Sequence, residues 1–154
     1  MSYKYETHMH TAEASACATS TGAEMARAHK EAGYTGIFVT DHFFNGNTTV
    51  PRELPWQERV ARFCLGYEHA KQEGDKIGLQ VFFGFEYAYH GAEFLVYNLD
   101  KNWLLHHENI DLRSPPAGRL PRCTRAAPSS SRRIPSGSGI TSTISSCSPG
   151  TLTA

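Results

Sequence analysis

From Arg113 to Ala154 the sequence holds no Asp, Glu, Lys, His or aromatic residue. Those 42 residues include ten Ser, six Pro, six Arg, five Thr and four Gly. Such a stretch cannot bury enough apolar surface to offset its chain entropy. Any core must therefore come from residues 1–112, and residues 113–154 are expected to be an unstructured tail. All fifteen acids and all eight His lie in the first part. Its nine Lys/Arg against fifteen acids give −6, which the six Arg of the tail cancel to the net zero of the whole chain.

No apolar run approaches the ~18 residues of a membrane-spanning helix. The start, MSYKYETHMH, lacks the apolar stretch of a signal peptide. Cys17, Cys64, Cys123 and Cys147 are too widely spaced for a zinc knuckle or a dense disulfide framework. A cytoplasmic protein is the expectation. The acidic first part makes nucleic acid an unfavourable partner.

Residues 3–9 alternate like a short strand. A loop of small residues follows. Thr21 and Glu24 then have capping-box spacing ahead of a helix that Gly33 closes. GIFVT (36–40) is the continuous β-branched run of a strand buried on both faces. Strand, helix, buried strand is a βαβ unit of the α/β class. Residues 43–55 read as loop. Apolar spacing predicts one helix over Trp56–Glu73, closed by Gly74. Two strands (79–89 and 93–99) flank His90-Gly91, and a short helix is expected over Trp103–His107.

His8-Met9-His10 lies at the end of the first strand, where residues i and i+2 share a face. Thr40-Asp41-His42 ends the second strand and Glu86 stands near the end of the third. In a parallel α/β sheet the C-terminal strand ends form the site-bearing edge. Imidazoles and carboxylates on one rim suit Zn, Mn or Fe. Taken singly, His-x-His is a common dipeptide spacing, Asp41-His42 fits a turn or helix cap, and Glu86 fits an ion pair. Their joint placement at matching strand ends favours a metal site.

These three motifs, in this order and spacing, resemble the PHP (polymerase and histidinol phosphatase) family of metal-dependent phosphoesterases. The resemblance covers roughly residues 3–110. It implies the first three or four strands of a distorted (β/α)7 barrel, a two- or three-metal site and a small phosphorylated substrate. It implies that His8 and His10 bind one metal, that Glu86 bridges two as a catalytic residue, and that His42 binds another. Asp41 would serve the catalytic site by orienting a ligand. Many members carry a further His where Cys17 is the nearest substitute, so Cys17 is a candidate ligand or a buried structural cysteine. Glu93 stands near the place of another His, with His90 as an alternative. His29, His69, His106 and His107 are expected on the surface.

A typical PHP domain continues for roughly a hundred further residues, with a His-Pro ligand motif. Reading codons 134–143 one base earlier permits His-Pro-Phe-Arg-Glu-Arg-Asp-Tyr-Ile-Asp. That string resembles the segment expected next. The tail therefore reads as out-of-frame sequence after a shift near residues 111–120. A chain cut short in this way would be a weak or inactive enzyme.

Overall fold

The structure, a computed structural model, describes residues 3–108, 110 and 123–125. Strands β1 (Tyr5–Met9) and β2 (Gly36–Val39) are parallel, with helix α1 (Gly22–Glu31) between them in sequence. The capping box forms at its start: the Glu24 N–H donates to Thr21 Oγ1 at 3.3 Å, and the Thr21 N–H donates to the Glu24 carboxylate at 2.8 Å. Residues 43–55 carry no helix or strand, as expected.

The predicted helix over residues 56–73 is two helices, α2 (Trp56–Phe63) and α3 (Leu65–Ile77), broken at Cys64. Gly74 does not close α3. It is buried inside the helix, and the chain turns instead at Gly78, whose φ of 70° is the left-handed conformation glycine adopts without strain.

Strand β3 (Gln80–Tyr89) has two partners. Residues 80–83 pair parallel with β2, and residues 84–89 pair antiparallel with β4 (Ala92–Tyr97). The turn between them uses positive φ at both His90 (47°) and Gly91 (76°), the conformation that joins two adjacent antiparallel strands. Strand–helix alternation therefore stops at β3. Helix α4 (Lys101–Leu105) starts two residues earlier than predicted, because the Asp100 side chain caps it by accepting from the Trp103 N–H at 2.7 Å. Strand β5 (Cys123–Arg125) pairs antiparallel with β4 and completes a sheet of order β1-β2-β3-β4-β5. These three residues depart from the unstructured tail expected over 113–154. The rest of that tail lies outside the described residues. The fold is thus a mixed α/β sheet with helices. No described helix is long and apolar enough to cross a membrane.

Two cores hold the sheet. One lies between α1, α3 and the parallel strands and includes Met9, Met25, Ile37, Val39 and Val81. The other places α2 and α4 on the β3–β4 hairpin around Phe43, Phe63, Phe85 and Leu104. The Trp56 indole N–H donates to the Leu104 carbonyl at 2.9 Å and ties α2 to α4.

Helices α1 and α3 meet through glycines. A Cβ on Gly22 would stand 2.0 Å from the Gly66 carbonyl oxygen, and one on Gly66 would stand 1.9 Å from Thr11 Oγ1. Both contacts are impossible for any larger residue without movement of the backbone or of Thr11. Gly66→Ala is therefore expected to cost about 1–3 kcal/mol through overpacking. Urea unfolding measures this, and a midpoint equal to that of the parent chain would refute it.

Candidate metal centre

Strand geometry brings the predicted residues together. His8 is the penultimate residue of β1 and His10 follows it two residues on, so their rings fall on one face with centroids 4.9 Å apart. The chain after β2 is still in register with β3 three residues on, where His42 bridges Glu86. The Glu86 N–H donates to the Asp41 carbonyl and the Phe43 N–H to the Glu86 carbonyl, each at 2.9 Å. This backbone lock sets His42 beside Glu86.

Three imidazole nitrogens surround one carboxylate oxygen. Glu86 Oε2 lies 3.1 Å from His8 Nε2, 3.2 Å from His10 Nε2 and 3.4 Å from His42 Nδ1. The two histidine nitrogens Nε2 of His8 and His10 are 3.0 Å apart. Glu86 is 1% exposed and His42 4% exposed, so water does not screen the group. Glu86 Oε1 and His42 Nε2 are buried with no hydrogen-bond partner.

The hydrogen bonds fix which nitrogens are free. Ser15 Oγ has one proton, and it goes to Asp41 Oδ1 at 2.7 Å. The same oxygen accepts from the His42 N–H at 3.0 Å. At His10 Nδ1, 3.2 Å away, Ser15 can then only accept, so this nitrogen carries the proton. His10 Nε2 is left with its lone pair facing Glu86 Oε2 and His8 Nε2. A lone pair and a carboxylate at this range repel unless a positive group lies among them. A proton on His8 Nε2 supplies a partial one, and a divalent cation among the nitrogens and the carboxylate supplies a full one. Ligands at ~2.1 Å from an ion are about 3.0 Å apart in an octahedral arrangement and about 3.3–3.4 Å in a tetrahedral one. The observed 3.0–3.4 Å spans both.

Asp41 faces away from this group and holds its frame. It is 2% exposed. Its carboxylate accepts from the Thr11 N–H at 2.6 Å, the Thr11 hydroxyl at 2.7 Å and the Ser15 hydroxyl at 2.7 Å. Burial pushes its carboxyl up to about 6, against the lowering effect of the Thr11 and Ser15 hydrogen bonds. Burial, helped by the nearby charge of His10, pushes His42 down to about 4. Burial raises the Glu86 carboxyl, but the close approach of the His10, His8 and His42 imidazoles outweighs it and holds the group well below the usual carboxylate range. Burial and then Glu86 raise the Glu93 carboxyl.

Three overlapping sets of donors lie within 4.8 Å of one another: His8, His10 and Glu86; His10, Cys17 and His42; and His42, Glu86 and Glu93. Glu93 reaches the group because Leu95 opposes Glu86 in the hairpin, which sets Glu93 diagonally on the same face. Cys17 is half-buried rather than buried, because it sits in the loop over the site and not in either core. His90 is exposed at the turn, stacked edge-on against Tyr89, and joins no donor set. His69, His106 and His107 are exposed as expected. His29 is not: it is 3% exposed, packed against Tyr34, with Nδ1 2.8 Å from the Met25 carbonyl, and burial lowers its pKa. Its place on the sheet-facing side of α1 is the reason.

The sequence reading missed Thr11 and Ser15, which connect Asp41 to His10 and His42. It also missed Glu13, whose carboxylate accepts from the Gly22 N–H at 3.1 Å and pairs with His69 at 2.9 Å, anchoring the loop to α1 and α3. Their only signal was a run of small polar residues directly after His10.

No family model matches the chain, and no curated protein matches it. One solved structure is similar, a Bifidobacterium adolescentis protein provisionally described as a metal-dependent phosphoesterase. The identity is 18% and the TM-score 0.43, over 66% of this chain and 29% of that one. The chain thus spans less than a third of that protein's length. At this level of similarity the likeness assigns neither fold nor activity.

Proposed function

We propose that the chain is a metal-dependent phosphoesterase of the PHP, histidinol-phosphatase type, acting on a small phosphate ester through an activated water. The observation that carries this is the single Glu86 oxygen ringed by three imidazole nitrogens at 3.1–3.4 Å. His8, His10 and Glu86 would hold one divalent ion, and His42 with Glu86 and Glu93 a second. Bound there, Zn, Mn or Fe supplies a Lewis acid that acidifies water and offsets phosphate charge. The chain's own residues do the rest. Ser15 keeps the His10 proton on Nδ1, so Nε2 presents a lone pair. Asp41 holds Ser15 and Thr11 in place. Burial of Glu86 keeps its charge unscreened where the ions gather.

A second reading is a non-catalytic remnant that binds at most one ion. The six donor residues favour it, because the three sets share His10, His42 and Glu86 and supply few ligands for two complete sites. Metal content and turnover separate the two. A frame-corrected, full-length version, chelator-treated and reloaded with Zn or Mn, is expected to hold two or more ions and to hydrolyse p-nitrophenyl phosphate, while the chain as it stands is expected to show weak turnover or none. One ion or none, without turnover, supports the remnant and overturns the enzyme reading. The out-of-frame tail is a proposal as well. Clean nucleotide reads showing an intact frame across codons 105–154 would remove it.

A further inference from the structure

Strand β1 carries one residue too many for its partner. Glu6 lies opposite Ile37 and Met9 opposite Val39, so three steps along β1 match two along β2. This is a β-bulge, and it falls on Thr7 and His8. Residues opposite each other in a parallel ladder project to one face, and a slip of one residue moves a side chain to the other. Met9, Ile37 and Val39 all face the core beneath α1 and α3. With unbroken pairing from Glu6, His8 would stand opposite Val39 and face that core. The extra residue puts Met9 there and turns His8 to the opposite face, where its Nε2 lies 3.1 Å from Glu86 Oε2.

Two side chains hold the bulge. The Thr7 and His8 N–H groups both donate to Glu6 Oε1, at 2.9 and 3.1 Å. The Thr7 carbonyl accepts from the Tyr97 hydroxyl at 2.6 Å. Tyr97 ends β4, and its ring packs edge-on against Phe38 of β2 with centroids 5.1 Å apart, so it spans the sheet face from β4 to β1. Beyond the bulge the strand is pinned again. The Met9 N–H donates to Thr40 Oγ1 at 2.9 Å, and the Thr40 N–H donates to the Met9 carbonyl at 2.7 Å. His10 is fixed through Ser15. The aim of His8 depends on Glu6 and Tyr97.

We propose that Glu6 and Tyr97 are positioning residues of the metal centre: by holding the bulge they direct the His8 imidazole at the ion it shares with His10 and Glu86. The proposal rests on the metal-centre reading above and adds two residues that lie outside the three donor sets.

The test compares Tyr97→Phe, which removes only the hydroxyl, with Glu6→Ala and Glu6→Gln in the full chelator-treated chain. Zn affinity is expected to fall ~10-fold or more in Tyr97→Phe and Glu6→Ala, the scale on which groups that orient a ligand act. Glu6→Gln keeps an acceptor oxygen on a side chain of the same length and is expected to bind Zn close to the parent. At saturating Co(II), the visible bands of Tyr97→Phe and Glu6→Ala are expected to shift toward those of His8→Ala, the site without that ligand. Unaltered Zn affinity in Tyr97→Phe and Glu6→Ala overturns the inference and leaves the metal centre standing. Weaker binding with parental Co(II) bands also overturns it, since the two residues would then support the fold and not His8. So does a Glu6→Gln variant as weak as Glu6→Ala, because the carboxylate would then act through its charge and not through the bulge amides. A parent chain that binds neither Zn nor Co(II) overturns the metal-centre reading and the inference with it.

Discussion

Glu86→Gln is expected to weaken Zn or Mn binding by at least about 100-fold, more than loss of a supporting residue around a metal site produces. Glu86 Oε2 is the atom on which His8, His10 and His42 converge at 3.1, 3.2 and 3.4 Å. Gln keeps the size of the side chain and removes its charge. Its amide N–H can donate to the His10 Nε2 lone pair, so the metal-free variant gains the hydrogen bond that the carboxylate cannot make. The prediction therefore has two sides. In chelator the variant should melt no lower than the parent chain. With Zn at 100 times the parent dissociation constant, the parent gains about 2.7 kcal/mol and the variant gains almost nothing. Calorimetric titration and thermal melting with and without Zn read both sides. Unaltered metal affinity in the variant would show that the carboxylate is a structural ion-pair partner of the histidines.

The centre was legible in the sequence because it depends on strand periodicity. His8 and His10 share a face two residues apart, and Asp41, His42 and Glu86 fall where adjacent parallel strands end. What supports the centre was not legible. Thr11 and Ser15 are ordinary loop residues until Asp41 gathers their hydroxyls. The split between α2 and α3 was hidden for a different reason. The buried face of α3 consists of Gly66, Ala70 and Gly74, spaced by four. Apolar periodicity does not register small residues, although here they mark close approach to α1, the Asp41 loop and β3. His29 was misplaced because a polar residue on a helix usually faces water, whereas this one satisfies a nitrogen on its own helix at Met25. The turn at His90-Gly91 falls between the two strands that the sequence predicts, and two successive positive φ values return the chain beside its own strand.

Asp41 and His42 are adjacent, both buried, and their effects on stability are expected to run in opposite directions with pH. The folded state holds Asp41 near 6 instead of the ordinary 3.8. Between those values the native chain keeps a proton that the unfolded chain has lost, so this contribution falls as pH rises through the window. It amounts to about 3 kcal/mol. His42 lies near 4 in the folded state against an ordinary 6.5. The unfolded chain takes up a proton there that the native chain refuses, so stability rises with pH between 4 and 6.5, again by about 3 kcal/mol. In the metal-free parent the two slopes largely cancel. Asp41→Asn removes one of them. An Asn oxygen still accepts from the Thr11 N–H and the Ser15 hydroxyl, and its amide donates to the Thr11 hydroxyl, so the loop keeps its frame. Relative to the parent, Asp41→Asn should gain about 3 kcal/mol as pH rises from 4 to 6, and His42→Gln should lose a similar amount from 4 to 6.5. Urea unfolding in chelator at steps across that range measures both differences. Slopes from groups remote from both residues are common to all three proteins and drop out of the comparison. Three parallel stability curves would show that Asp41 and His42 titrate as they do in water, and that the Thr11–Ser15 network does not enclose them as the structure places it.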